Sequence, residues 1–270
     1  MIFKSPGDVL FNIGSFPVYC YGVTLAIASF VGVFVSYKVF KKYNSNFDYD
    51  KIWDFSAYLL ILGFLGARIY YCLLNPIYYF NNPLEILDFR EGGLSIHGGI
   101  IVGIISAILL AKRYKLPILK LIDSFMCGTA LAQSIGRWGN FFNSEAFGYP
   151  TNLPWKLYIP YSQRPDIYRG YEFFHPTFLY ESILDFCIFV ILLLVMKKTK
   201  GKLSGLCLSL YLIMYAVTRF MVESFRIDSA LNIGKIPVAQ LMSLVLLIIG
   251  VIGVVIIKKN CKNSANPEKI

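Results

Sequence analysis

Charge is scarce in this chain. Asp, Glu, Lys and Arg make up 16% of its 270 residues, against 56% hydrophobic residues and a mean hydropathy of +0.58. One soluble domain of that length could not hide so much apolar surface, so the composition predicts a polytopic membrane protein. Histidine is scarcer still, with only His97 and His175. The six cysteines, at 20, 72, 127, 187, 207 and 261, stand singly with no Cys-x-x-Cys pair. That pattern indicates neither a zinc site nor a redox dithiol, and it leaves them as small hydrophobes within apolar runs. There is no Gly-x-Ser-x-Gly elbow, no His-Glu-x-x-His and no phosphate-binding glycine loop. A nucleophile, if chemistry is done here, then comes from the substrate. The first 16 residues lack the basic region, apolar core and small-residue cleavage site of a removable signal peptide. No repeat and no low-complexity tract is visible. The net charge of +10 does not point to nucleic acid, because the basic residues sit in small clusters and not on one helix or tail.

What is present is a series of seven apolar runs, each of roughly the 20 residues that a helix needs to cross hydrocarbon. They lie at about 17–38, 52–75, 94–112, 116–136, 177–197, 203–225 and 236–257 and form one polytopic, all-α membrane domain over residues 1–270. Lys38, Lys41, Lys42 and Lys51 fall in one connection, and Lys112, Arg113, Lys115 and Lys120 in the next but one. Lys197, Lys198, Lys200 and Lys202 follow, then Lys258, Lys259, Lys262 and Lys269 in the tail. These sixteen of the 26 basic residues occupy alternate connections or the tail, which by the positive-inside rule puts the N-terminus outside and the C-terminus inside. The one long connection, about 137–176, is external, rich in Tyr, Phe and Trp and punctuated by Pro150, Pro154, Pro160 and Pro165. Its length argues for a functional or lid-like role, and its aromatics suit the lipid interface.

Four arginines stand apart from the basic turns: Arg68, Arg137, Arg219 and Arg226, all toward the external ends of their spans. Arginine at a helix centre costs about 2.5–3.5 kcal/mol on the insertion scale, so several on one side of the membrane call for an anion. A lipid phosphate is the anion most available there. Arg137 opens a dense polar stretch, Gly136 to Gly148, that carries Asn140, Asn143 and Glu145. Tyr215, Arg219 and Glu223 are spaced four apart and Arg226 follows by three, a polar stripe within roughly 80° of one helix face. An Arg219–Glu223 pair could simply lock helices together. Joined with Arg68, Arg137, Asn140 and His97 at the same depth, the stripe reads better as an anion site. His97 lies among glycines at the entry of the third span and suits the deprotonation of a thiol of pKa about 8.5; the alternative is a helix-capping histidine. His175, before Pro176, reads as an interfacial histidine that orders a helix start.

At these residues the chain resembles the prolipoprotein diacylglyceryl transferase family. The family's Gly-Arg-x-Gly-Asn-Phe-x-Asn-x-Glu-x-x-Gly run is met from Gly136 to Gly148, its His-Gly-Gly at His97 to Gly99, its Tyr-Gly at Tyr21-Gly22, and its Gly-x-Arg at Gly66 and Arg68. The His-Pro-x-x-Leu-Tyr-Glu segment is met at His175 to Glu181, and the Tyr, Arg, Glu, Arg series at Tyr215, Arg219, Glu223 and Arg226. Members often carry prolines in the fourth span ahead of the signature, where this chain has Cys127 and Ala130 after Asp123. The resemblance implies a bacterial inner-membrane enzyme, with its active site toward the external leaflet, that moves the diacylglyceryl group of phosphatidylglycerol to the lipobox cysteine of a prolipoprotein. It implies that Arg137 and Arg219, aided by Asn140, hold the phosphate, with Arg68, Arg226 and Gly148 also lining the lipid site. His97 would assist thiol deprotonation, Tyr21 and Glu145 would orient groups around the centre, and Tyr215 with Glu223 would position Arg219. No metal or cofactor is expected. The partners expected are phosphatidylglycerol, the lipobox region of the prolipoprotein and membrane lipid. Two other readings use the same residues: a transporter for an anionic solute, and a phosphatidylglycerol-dependent transferase with a hydroxyl acceptor.

Overall fold

A computed structural model describes residues 2–88, 92–227, 232–233 and 236–265. Short strands β1 (Phe3–Lys4), β2 (Val9–Ile13) and β3 (Phe16–Tyr19) precede helix α1 (Cys20–Tyr43). Helices α2 (Lys51–Leu74), the short α3 (Pro76–Asn81), α4 (Ile96–Arg113) and α5 (Ile118–Phe142) follow. Strands β4 (Leu157–Tyr158) and β5 (Phe173–Phe174) come next, then α6 (Thr177–Thr199) and α7 (Leu206–Glu223). The hairpin β6 (Asn232–Ile233) and β7 (Ile236–Pro237) leads into α8 (Val238–Ala265). Among the described residues seven helices, all but α3, are long and apolar enough to cross a membrane. Large apolar side chains such as Ile104, Leu194, Ile248 and Val255 stay exposed on them, as expected where the surrounding solvent is lipid. Four spans end in cations, Lys41 and Lys42, Lys112 and Arg113, Lys197 and Lys198, and Lys262, which complement the negative end of the helix dipole.

The chain packs as two compact units: Met1–Val39 with Ile122–Ile270, and Phe40–Leu121. In the second unit α2 and α4 cross at glycines. A Cβ on Gly98 would sit 2.3 Å from the Gly66 carbonyl oxygen, and one on Gly66 would sit 2.4 Å from Val102 Cβ, so only bare backbone permits the crossing. Arg68, two residues beyond Gly66, is buried to 5% exposure. Its Nε donates to the Ile86 carbonyl, Nη1 to those of Gly92 and Gly93, and Nη2 to that of Glu85. Positive φ at Gly92 (82°) and Gly93 (71°) shapes the turn that presents the two glycine carbonyls.

In the first unit Asp123 ties α5 to the start of α7. Its carboxylate accepts from the backbone N–H of Gly205 at 2.6 Å and of Leu208 at 2.9 Å, two of the donors that a helix start leaves unpaired. Ser134 and Ser182 exchange hydroxyl-to-carbonyl bonds at 2.8 Å in both directions, which sets the register of α5 against α6. With Cys127 and Ala130 fully buried in the stretch where family members often carry prolines, α5 runs unbroken from 118 to 142.

Two expectations are corrected here. The fourth span does not stop at 136: Arg137 to Phe142 continue the helix, so Arg137 and Asn140 are helical residues and not loop residues. The stripe that includes Arg226 is not one helix face either. α7 ends at Glu223, Phe225 N turns back to the Val222 carbonyl, and Arg226 pairs as a β-bridge with Gly148. The connection between α5 and α6 is a folded layer. β4 pairs with β1 in parallel and with β5 antiparallel, and Ala146, Phe147, Leu157, Ile159, Phe174 and Phe178 form its buried core.

Candidate active site

The first unit gathers five charged side chains from three neighbouring helices. Arg137 on α5 places Nη1 3.0 Å from Glu181 Oε2 and Nε 3.6 Å from Asp185 Oδ2, both on α6. Arg219 on α7 places Nη1 2.6 Å from Glu181 Oε1 and Nη2 2.7 Å from Glu223 Oε2. Glu181 therefore bridges the two guanidiniums. The carboxylate side chains are 1–3% exposed, while those of Arg137 and Arg219 retain 20% and 19%. Glu181 Oε1 receives an aligned hydrogen bond from Arg219 Nη1, but Glu181 Oε2 and Asp185 Oδ2 are buried without one. Arg137 is held chiefly by the charge of these two acids. These ion pairs occupy Nη1 and Nε of Arg137 and Nη1 and Nη2 of Arg219.

Beside this cluster, Asn140 Nδ2 donates to Glu145 Oε1 at 2.8 Å, and the Glu145 backbone N–H donates to the Asn140 carbonyl at 3.0 Å. Asn143 Nδ2 reaches the same carboxylate oxygen at 3.4 Å. Ser144 and Ala146 flank Glu145 with φ of 53° and 55°, so the polar run leaves the helix in a tight curl that returns the carboxylate to Asn140. The Tyr21 ring covers Gly139, where a Cβ would lie 2.7 Å from Tyr21 Cδ2, and its hydroxyl is within electrostatic reach of Glu145 and Arg137. Gly148 binds the loop to its surroundings: its N–H donates to the His175 carbonyl at 2.9 Å, and a Cβ there would be 2.5 Å from the Phe225 carbonyl oxygen. Tyr215 stacks on Tyr211 at 5.7 Å and lies within electrostatic reach of Arg137, while Tyr211 donates to Gln133 Oε1 at 2.8 Å.

The structure thus brings Tyr21, Arg137, Asn140, Glu145, Tyr215, Arg219 and Glu223 into one unit. Gly148 and Arg226 stand there as backbone partners of one another. Arg68 and His97 belong to the other unit, where His97 is exposed at the start of α4 with its ring 6.3 Å from that of Tyr70. Arg68 directs Nε, Nη1 and Nη2 at backbone carbonyls of residues 85, 86, 92 and 93. Glu181 and Asp185 were missed as site residues. Their signal was legible: two acids four apart inside an apolar span share one helix face and require buried cations. His175 also falls into place. Trp155 Nε1 donates to Tyr180 Oη at 3.1 Å, and His175 Nδ1 shares a hydrogen bond with the same hydroxyl, also at 3.1 Å. Partial burial pushes the His175 pKa below the usual histidine value, in keeping with a neutral ring.

The sequence profile of the family described as prolipoprotein diacylglyceryl transferase matches residues 8–256. The chain belongs to this family. It is 40% identical over 264 residues to the phosphatidylglycerol–prolipoprotein diacylglyceryl transferase of Parasynechococcus marenigrum (strain WH8102), covering 93% of this chain and 94% of that protein. It is 42% identical over 256 residues to the protein of the same name from Trichormus variabilis (strain ATCC 29413 / PCC 7937), covering 93% and 90%. The Prochlorococcus marinus (strain MIT 9301) protein of that name is 40% identical over 291 residues, covering 96% and 97%. Membership in the diacylglyceryl transferase family accounts for a charged cluster in an otherwise apolar chain, because a lipid-consuming transferase must place its polar groups where its lipid lies.

Proposed function

We infer that this chain transfers the diacylglyceryl group of phosphatidylglycerol to the cysteine thiol in the lipobox of a prolipoprotein, forming a thioether and releasing glycerol phosphate. The observation that carries the assignment of the site is the pair of arginines, Arg137 and Arg219, bridged by buried Glu181, with Arg137 Nη2 and Arg219 Nε outside these ion pairs. Two planar donors held a carboxylate apart suit the non-bridging oxygens of a phosphodiester. As the thiol sulfur attacks the glyceryl carbon, a carbon–sulfur bond forms and the carbon–oxygen bond to phosphate breaks. The electron pair stays on the departing oxygen, where the guanidiniums oppose the growing charge. Asn140, held by Glu145, adds an amide donor, and Glu223 fixes Arg219. Tyr21, packed on Gly139, shapes the wall beside Arg137.

His97 takes the thiol proton in this scheme, a role proposed from its chemistry and its place at the start of α4. The spans run with the N-terminus outside and the C-terminus inside the cytoplasmic membrane, and the site opens to the external leaflet; the lysines at the ends of α1, α4, α6 and α8 support that orientation. Purified protein in detergent, mixed with phosphatidylglycerol and a synthetic lipobox peptide, should add a diacylglyceryl mass to the cysteine peptide and none to its cysteine-to-serine counterpart. Mass gain on the serine peptide would mean a hydroxyl acceptor. Folded protein that modifies neither peptide and leaves the lipid intact would return the site to anion transport.

A further inference from the structure

Glu181 meets both arginines of the cluster. Its Oε1 lies 2.6 Å from Arg219 Nη1, its Oε2 lies 3.0 Å from Arg137 Nη1, and its side chain is 1% exposed. Each oxygen thus faces one guanidinium, and a single side chain on α6 links α5 to α7. Two guanidiniums brought this close repel, so their spacing needs an anion held between them in a fixed place. The backbone that carries Glu181 is fixed on both sides. One turn earlier the Phe178 N–H and the Thr177 hydroxyl donate to the Ala146 carbonyl, at 3.1 and 2.5 Å. At the next residue Ser182 exchanges 2.8 Å hydrogen bonds with Ser134 of α5. Ala146 directly follows Glu145, whose carboxylate accepts from Asn140. The polar loop and the α5–α6 register therefore converge on the position of this one carboxylate.

We propose that Glu181 is a positioning residue: it sets the spacing and orientation of Arg137 and Arg219, so that both guanidiniums meet one phosphate while the carbon–oxygen bond breaks. The inference rests on the reading of these arginines as the phosphate clamp. In this role Glu181 acts through the arginines and does not itself touch substrate. Its bridge of 2.6 and 3.0 Å stays in place through the reaction, and the longer contact of Arg137 Nε with Asp185, at 3.6 Å, is the one an arriving anion displaces. A glutamine there has the right size but the wrong pattern, one oxygen that accepts and one NH2 that donates, whereas both positions face N–H donors. One guanidinium would then confront a donor and swing away. An aspartate keeps the charge but is one methylene too short to touch both. A misplacement of about 1 Å in groups that hold a substrate is enough to cost about a hundredfold in rate.

The test is a double-mutant cycle on the full-length protein in detergent, with phosphatidylglycerol and the lipobox peptide. It is read as kcat and as KM for each substrate, with thermal unfolding as the control for folding. Glu181→Gln should lower kcat about a hundredfold and leave the peptide KM unchanged, and Glu181→Asp should lower kcat about tenfold. In an Arg137→Gln background no second guanidinium remains to be aligned, so adding Glu181→Gln should cost less than about threefold more. A residue that touched substrate would keep its full factor there, and that result overturns the proposal. So does a folded Glu181→Gln protein with the parental kcat; if that variant does not fold, a parental kcat in Glu181→Asp does the same. The clamp is tested separately: parental turnover in Arg137→Gln removes it, whereas a slow Arg137→Gln beside a fast Glu181→Gln strikes out the positioning role alone.

Discussion

Arg68 and Arg137 are both arginines inside apolar helices, yet the protein satisfies them in opposite ways. Arg68 is 5% exposed and donates to carbonyls of residues 85, 86, 92 and 93, neutral acceptors that belong to the backbone and cannot be traded away. Arg137 retains 20% side-chain exposure and is paired with Glu181 and Asp185, charged partners whose oxygens are not aligned with its N–H groups. The first arrangement makes a brace; under the proposed function the second is a cation that exchanges partners when an anion arrives. Burial of an arginine in a membrane helix is therefore no sign of a ligand site by itself; the nature of the acceptors separates the two cases.

The sharpest way to break this comparison is at Arg137. Arg137→Gln should lower turnover by at least about a hundredfold, the scale of losing one charge-stabilising donor, with the fold retained; Arg137→Lys should restore only part, because a point charge lacks the planar fork. Thioether formation measured by mass spectrometry, with thermal unfolding in detergent as the control for folding, checks both, and full activity in either would leave Arg137 as another brace. Arg68→Ala should behave in the reverse sense. It strands several carbonyls and should cost roughly 3 kcal/mol, visible as a lower unfolding midpoint and faster amide exchange at residues 85–88. Gly98→Ala probes the crossing beside that brace. Its Cβ would press on the Gly66 backbone, and about 1–3 kcal/mol of stability should be lost without any change in the Arg137 cluster.

The smallest effect expected is at His175. Its folded pKa lies below the unfolded value, so the unfolded state binds more protons, and the contribution to stability is complete above the unfolded value of about 6.5 and is lost as pH falls through the folded one. Between pH 7 and 5 the unfolding midpoint should fall slightly more in the parent protein than in His175→Gln. An equal fall in both would mean that burial does not hold the His175 ring neutral.

Much of the architecture was legible in one dimension. A span in lipid must satisfy its backbone within itself and be apolar over about 20 residues, which is a local property that composition and length reveal. The Gly136–Gly148 run and the Arg219–Glu223 spacing likewise announced charged chemistry, because buried charge is rare enough to be informative alone. Which acid pairs with which arginine was not local. Glu181 and Asp185 meet Arg137 only because Ser134 and Ser182 set the register of α5 against α6, and Arg68 was separable from the cluster only when its acceptors were seen. Arg226 looked like a continuation of a helix that in fact ends at Glu223, since the turn after it is stabilised by a bridge to Gly148 far away in sequence.

The sequence by itself therefore determined the solvent of this protein, its seven spans and the residue types of its chemistry, because hydrophobic length and the cost of burying charge act segment by segment. The tertiary structure decided which charges neutralise one another and which donors stay available, because an ion pair depends on distances between helices that no stretch of chain contains.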